Sequence, residues 1–333
     1  MACNNRREKR SSRTAMTALM ALWSVVTLSA ASAGSIEYPT RTIRAIVPYS
    51  VGGFTDLTAR LISQHLAGEL RQQIVVDNRP GAAGNIGMDL AAKSQPDGHT
   101  IMFNGSASTQ NPALFRKLPF DPLTDLKPVG MITQAPYIVV VHAGLPVSNL
   151  GEFIKYGQAN AGKLTFSSGG ATTRLAAELF MMQHNLSGEA VTYGGTGAAA
   201  LSIASGQVQF GIMDSSGVMP LVSTGRVKVL AVSGEKRLPG LPNTPTTAEA
   251  GFPNYVATTS SSLYVTGKTP NTIARQIHAA LNRLLAQPDV RQQIEKMGGY
   301  ASPMEFEAVA EWYEQEIKRW KAVVARAKLP FAD

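Results

Sequence analysis

The sequence predicts a two-lobed α/β fold, with the lobes joined by two crossover strands and a cleft between them. Three observations predict it. Short apolar runs alternate with helical patterns along most of the chain, the signature of sheets covered on both faces. Two β-rich runs, Ala135–His142 and Tyr255–Val265, each follow a loop and read as crossings between domains. The 333 residues, once a leader is set aside, still suit two domains, because single cores stop growing at about 250–300 residues.

The leader comes first. Arg6, Arg7, Lys9, Arg10 and Arg13 precede an apolar run from Ala15 to Leu28, and Ala31-Ser32-Ala33 offers small residues for a signal peptidase. Residues 1–33 read as a cleaved secretory signal peptide, since the apolar run is short for a membrane span. Cys3 is the only cysteine and leaves with the leader, so the remaining chain has neither a disulfide nor thiol chemistry. Removing the leader's five basic residues and one acidic residue from totals of 31 and 23 lowers the net charge from +8 to near +4. No basic run and no basic–aromatic stripe remains, which argues against a nucleic-acid partner. An exported soluble protein without disulfides points to a bacterial periplasm.

Strands are expected at Ile43–Pro48, Ile74–Asp77, Thr100–Asn104, Ile138–His142, Leu164–Ser167, Gln209–Met213 and Val227–Ser233. Helices are expected at Leu57–Leu70, Gly87–Lys93, Leu150–Asn160, Arg174–Gln183 and Ala198–Ser205. That alternation predicts parallel sheets. Thr269-Pro270 reads as an N-cap followed by proline at the first helical position. In the last helix Phe306, Val309, Tyr313, Ile317, Trp320 and Val324 recur at helical spacing as a core stripe, with Ser302 and Glu305 as its capping box. The resulting division puts lobe 1 at 36–137 and 258–333 and lobe 2 at 138–257. Two crossings imply a hinge, and hinge closure around a ligand is a recognised motion.

The chemistry concentrates in "IVPYSVGGFTD", residues 46–56, where a strand runs through a Gly-Gly turn into a helix. A dinucleotide loop needs a further glycine and a P-loop needs Gly-Lys-Ser/Thr, and neither pattern is present. The turn still leaves backbone amides at the positive end of a helix dipole, which can bind an anion without reacting with it. Thr55 and Asp56 are also typical N-cap and first-turn residues. A second turn of the same kind, "FSSGGATTR" at 166–174, lies in the middle segment. One such turn per lobe could close on one anion from opposite sides.

Several stretches together carry a family resemblance: "YPTRTIRAIVPYSVGGFTD", "VVDNRPGAAGNIG", "PDGHTIMF", "NPALFRKLPFDPLTDLKPV" and "LPNTPTTAEAGFP". From about Tyr38 to the C-terminal helix the chain resembles the Bug family, the TctC-like periplasmic solute-binding proteins of tripartite tricarboxylate transporters. The resemblance implies a type II periplasmic binding protein fold, a small organic carboxylate as ligand and membrane permease subunits as partners. It carries the first ligand loop onto Gly52, Gly53, Phe54, Thr55 and Asp56. The second falls on Ser167, Ser168, Gly169, Gly170, Ala171, Thr172 and Thr173. Ser106, Tyr193 and Asp214 are further expected cleft residues. The chain also departs from the family. Phe54 stands where a small residue is usual, the second loop is about two residues short, Arg174 replaces a histidine, and Gly194-Gly195 replaces a basic residue and glycine. Phe54 then either offers a ring face to the ligand or shields the turn. Arg174 either makes a second anion contact, for which a guanidinium is suited, or lies along the helix start.

An enzyme reading finds little to use. There is no cysteine after the leader, no G-x-S-x-G elbow and no H-E-x-x-H pair, and His65, His99, His142, His184 and His278 show no metal-ligand spacing. Asp214 could serve as a general base, or equally accept a hydrogen bond from a ligand. No cofactor, no metal, no catalytic residue and a monomeric state are expected. A sensor that presents its closed form to a membrane kinase would use the same cleft, so the sequence leaves transport and sensing open.

Overall fold

The computed structural model describes residues 37–327 apart from Ser216, together with Phe331. The predicted leader lies outside the described residues. Among those residues the strands form two sheets that share one strand. In the first sheet β1 (Ile43–Val47) lies parallel to β2 (Ile74–Asn78) and β3 (Thr100–Asn104). β4 (Leu126–His142) is kept from β3 by β9 (Thr258–Thr266), which is antiparallel to both. A short β10 (Tyr300–Ala301) pairs with the other edge of β4. β4 then continues into the second sheet, antiparallel to β7 (Phe210–Asp214) and β8 (Val227–Val232). β5 (Leu164–Ser168) pairs in parallel with β7 and with β6 (Gly188–Thr192). Apolar β1 is buried along nearly its whole length, as a strand covered on both faces should be. The edge strands β2 and β6 keep polar residues and partial exposure.

The helices in chain order are α1 (Phe54–Leu70), α2 (Asn85–Ala92), α3 (Ala107–Leu114), α4 (Leu150–Ala159), α5 (Ala171–Gln183), α6 (Thr196–Ala204), α7 (Met219–Val222), α8 (Asn271–Ala286), α9 (Pro288–Lys296) and α10 (Phe306–Ala327). α1 buries Ala59, Ile62, Leu66 and Leu70, residues three or four apart that share one helix face. α8 lies so close to β4 that a Cβ at Gly130 would fall 2.4 Å from the Leu281 side chain, which would have to shift to admit it. α10 works in both lobes. Its Tyr313 and Ile317 pack with Ile46, Met102 and Tyr264 of the first sheet. Its Trp320, Val323 and Val324 enter the second core beside Phe153, Phe166 and Phe210. There Phe210 meets Phe153 and Phe166 at centroid distances of 5.0 and 5.5 Å. Losing one such buried aromatic costs about 3–5 kcal/mol.

Several expectations need correction. The sheets are mixed, because both crossing strands run antiparallel to their neighbours. β4 begins at Leu126 and not at Ile138, and its register shifts between Pro128 and Gly130 and between Met131 and Thr133. Those bulges take up prolines and glycines that otherwise argue against a strand. β6 and α3 are additions: "GEAVT" is an exposed edge, and "ASTQNPAL" is a mostly polar helix with an internal Pro112. α8 begins at Asn271 with Pro270 in the cap position, one residue later than expected. The capping box before α10 does not form. Val309 N–H donates to Glu305 O, which makes Glu305 the cap residue, while Ser302 N–H pairs with Ile132 O as an extension of β10.

Candidate functional site

Besides α2, which starts after Gly84, three helices begin on a glycine with no side-chain cap: α1 after Gly53, α5 after Gly170 and α6 after Gly195. Each follows the carboxyl end of a parallel strand, β1, β5 or β6. The first amides of a helix have no acceptor within it, so each turn presents N–H groups at the positive end of a dipole. Gly170 and Gly195 sit at φ 152° and 139°, and Gly52 at φ 90°, conformations that L-residues rarely adopt.

In the first turn Asp56 is the brace. Its carboxylate is buried and accepts from Gly52 N (2.9 Å), Arg60 Nε (3.0 Å) and Asn78 Nδ2 (2.9 Å). Burial alone would raise its pKa, but the bonds from Arg60, Gly52 and Asn78 outweigh it and hold the carboxyl below its ordinary value. Asp56 therefore fixes the loop that carries Gly52, Gly53 and Thr55. Phe54 turns its ring to the hinge, where a Cβ at Gly299 would lie 3.0 Å from the ring edge. Thr55 Oγ1, Tyr49 Oη and Ser260 O surround Gly105, at 3.1, 3.3 and 3.4 Å from where its Cβ would be. Ser106 accepts from Ser260 N at 3.0 Å and lies 3.5 Å from Thr259 Oγ1.

In the second turn Ser167 and Ser168 are buried, and Ser168 Oγ lies 3.1 Å from Thr192 Oγ1. Thr173 Oγ1 accepts from Gly169 N and donates to Gly170 O, at 2.9 and 3.1 Å, which locks the turn. Ala171 and Thr172 open the helix half-buried. Arg174 pairs along the helix with Glu178 at 3.5 Å.

Neighbouring turns meet here. A Cβ at Gly169 would fall 2.5 Å from Thr196 N, and one at Gly217 would fall 2.8 Å from Thr196 Cγ2. Thr196 Oγ1 donates to Asp214 Oδ2 (2.8 Å), and Tyr193 N donates to Ser168 O (2.8 Å). Ser168, Gly169, Tyr193, Thr196 and Asp214 are thus one cluster.

Tyr137 joins this cluster to the crossing strands. It stands opposite Asp214 in the β4–β7 pair and donates its N–H to Ala257 O. Its buried hydroxyl is pushed up to about 12, first by burial and then by the Asp214 carboxylate, against hydrogen bonds with Thr172 and Thr259. It therefore stays protonated, with the first turn of α5, the crossing strand β9 and Asp214 around it. Tyr137, Thr196 and Thr259 are absent from the sequence-derived set. The signal for Tyr137 was present: a polar-tipped aromatic after a proline at the head of an apolar run.

The histidines have other work. His278 and His142 hold backbone carbonyls of Val129 and Ile203 through Nδ1. Among the described residues no cluster of His, Cys, Asp and Glu could hold a metal ion, and no helix is long and apolar enough to cross a membrane.

Comparison with known proteins adds three kinds of likeness. A family model described as the tripartite tricarboxylate transporter family receptor matches residues 58–329. Protein BugT of Bordetella pertussis is 30% identical over 299 residues, covering 89% of this chain and 92% of its own. Two solved structures, each 30% identical, superpose closely. MatC from Rhodopseudomonas palustris with bound malate has a TM-score of 0.74 over 86% of this chain and 100% of its own. An R. palustris protein with adipate has a TM-score of 0.78 over 88% of this chain and 99% of its own.

Proposed function

The chain belongs to the tripartite tricarboxylate transporter receptor family, the Bug or TctC-like proteins, and from that premise we propose that it captures a small carboxylate by hinge closure and hands it to membrane permease subunits. The family is one of periplasmic solute receptors, and relatives of the same fold hold malate and adipate. One observation carries the reading for this chain: an uncapped, glycine-led helix start in each lobe, α1 and α5, with the Tyr137 hydroxyl beside Thr172 at the start of α5.

One ligand carboxylate would take amides from the Gly53 turn and the Gly170 turn, helped by the hydroxyls of Thr55 and Thr172. A carboxylate at a helix start gains about 0.3–1 kcal/mol from each dipole, besides charge-assisted hydrogen bonds. Contacts to both turns at once exist only when the lobes are closed, so the ligand shifts the population towards closure. Asp214, which accepts from Thr196, would be the acceptor for a ligand hydroxyl or amine. Arg174 lies one turn into α5 and would meet a second carboxylate once it leaves Glu178. Nothing in this arrangement attacks a bond. It binds and releases.

The test begins with unfolding and refolding of the protein to strip carried-over ligand. Melting temperatures are then recorded against mono-, di- and tricarboxylates, acidic amino acids and aromatic acids. A ligand at a hundred times its Kd stabilises by about 2.7 kcal/mol, so one class should give a clear shift that Arg174→Ala diminishes. A flat response from folded protein would sink the carboxylate clamp.

A further inference from the structure

The crossing strands have a second face. Successive strand residues point to opposite sides of a sheet. Tyr137 and Thr259 belong to the clamp, while Gln134 and Pro136 of β4, with Thr258 and Ser260 of β9, line a cavity of about 530 Å³. That volume lies within the ~300–1,000 Å³ usual for small-molecule sites. Of the clamp residues named above, only Ser106 reaches it. Its walls come from opposite sides of the hinge: the turn after β8 at Gly234–Lys236, and α9 with α10.

The charged groups in it divide into a spent set and a free set. Arg319 donates to Glu316 Oε1 and Val256 O, and Glu316 also receives Trp320 Nε1–H. Arg291 commits only Nε, to Leu285 O at 2.7 Å, which leaves both terminal amines free. Glu295 follows Arg291 by four residues and so shares its helix face, but no ion pair joins the two. Its charge is felt at Tyr300, whose hydroxyl is raised by burial first and by Glu295 second. The half-buried ring of Trp312 stands opposite on α10.

The lining balances, with Lys236, Arg291 and Arg319 against Glu235, Glu295 and Glu316. A multiply charged anion gains little in such a place. A molecule carrying both an ammonium and a carboxylate finds Glu295 for the first, Arg291 for the second and an indole ring for its body, with cation–π attraction as a supplement. We propose that this cavity is a second ligand site, that it takes a zwitterionic amino acid, and that its occupancy sets the open–closed balance of the clamp. The binding site stands apart from the carboxylate reading; only the coupling rests on it. Coupling follows because walls from both lobes move against each other as the strands bend. A ligand whose contacts differ between the two states must shift them, and the influence is reciprocal.

The experiment is calorimetric titration of the refolded protein with L-phenylalanine, L-leucine and glycine betaine. A saturable heat is expected with at least one of them, and Arg291→Ala and Glu295→Gln should each weaken it about tenfold. Both side chains are exposed, so both variants should fold, and neither should alter carboxylate affinity measured without zwitterion. Gly169→Ala, which disrupts the clamp, should leave the heat in place. Saturating zwitterion should change the carboxylate Kd by about fivefold or more in the wild type, within the usual range of allosteric coupling, and not in Arg291→Ala. Silence from all three probes at about 10 mM overturns the site. So does binding that survives Arg291→Ala and vanishes in Gly169→Ala, because the zwitterion then sits in the clamp. Binding without a change in carboxylate Kd keeps the site and overturns the coupling. If no carboxylate binds at all, the receptor reading fails while the zwitterion titration still decides the second site.

Discussion

Helices α4 and α5 follow one another in the same lobe and begin in opposite ways. α4 starts at Asn149, whose Oδ1 accepts from Glu152 N at 2.9 Å, while the Glu152 carboxylate reaches back to Ser148 N at 2.7 Å. That reciprocal box satisfies its own amides. α5 starts at Gly170 with no cap at all. A glycine in the cap position costs only about a few tenths of a kcal/mol against a capping side chain, and the omission recurs at α1 and α6. α4 closes its own end with a side-chain cap. What α1, α5 and α6 share, and α4 lacks, is an uncapped glycine start directly after the end of a parallel strand, with amides left for an acceptor from outside.

The sharpest way to break the comparison is at Gly169. A methyl there would press on the Thr196 backbone and force the α5 and α6 turns apart. Gly169→Ala should lose about a hundredfold or more in carboxylate affinity and about 1–3 kcal/mol of stability, the usual cost of overpacking. Titration and a denaturant curve on the same sample check both. If affinity held, the α5 and α6 turns would not act as one unit.

Asp56 tests the other turn. Asp56→Asn leaves Gly52, Arg60 and Asn78 poorly matched and should cost about 1–3 kcal/mol, together with carboxylate affinity. The wild type carries a pH signature as well. The folded pKa of Asp56 lies below the ordinary 3.8, so the stability it contributes is present above that value and is lost as pH falls through the lower, folded one. Acid titration of stability should therefore be shallower in Asp56→Asn. Parallel acid limbs would remove the brace from the account.

Tyr137→Phe keeps the ring and deletes the hydroxyl between Thr172, Thr259 and Asp214. It should weaken the carboxylate about tenfold, as for a lost hydrogen bond in a closed site. Because the hydroxyl is raised to about 12, wild-type affinity should stay level from pH 7 to about 10. The stability that goes with the raised value is full below the ordinary 10 and is lost as pH rises through 12. An affinity that falls between pH 8 and 10 would mean another group titrates in the clamp.

The smallest effect belongs to the capped helix. Asn149→Ala should cost about 1 kcal/mol and leave carboxylate binding untouched. A loss of binding there would erase the distinction between the two kinds of helix start.

Much of this was legible beforehand, and the reasons are local. Gly-Gly turns between an apolar run and a helical pattern depend only on neighbours in sequence, so residues 52–56 and 167–173 stood out. β4 before Ile138 was hidden because Pro128, Gly130 and Pro136 are poor strand residues whose cost is met by bulges and by pairing with β9, more than a hundred residues away. α3 was hidden because its stripe is polar: Ser108 and Asn111 are buried against Tyr264 and Asn85, partners that no periodicity reveals. Asp56 was visible as a first-turn residue, but one of its three bonds comes from Asn78 in β2. Tyr137 became a site residue only when β7 placed Asp214 beside it.

The insertion of β9 between β3 and β4 also governs when the molecule can fold. Phe103 of β3 pairs with Leu263, so the first sheet keeps an empty central place until β9, at Thr258–Thr266 of 333 residues, has been made. Contacts so distant in sequence slow folding. The first lobe therefore cannot complete the middle of its sheet while residues 258–266 are still being synthesised.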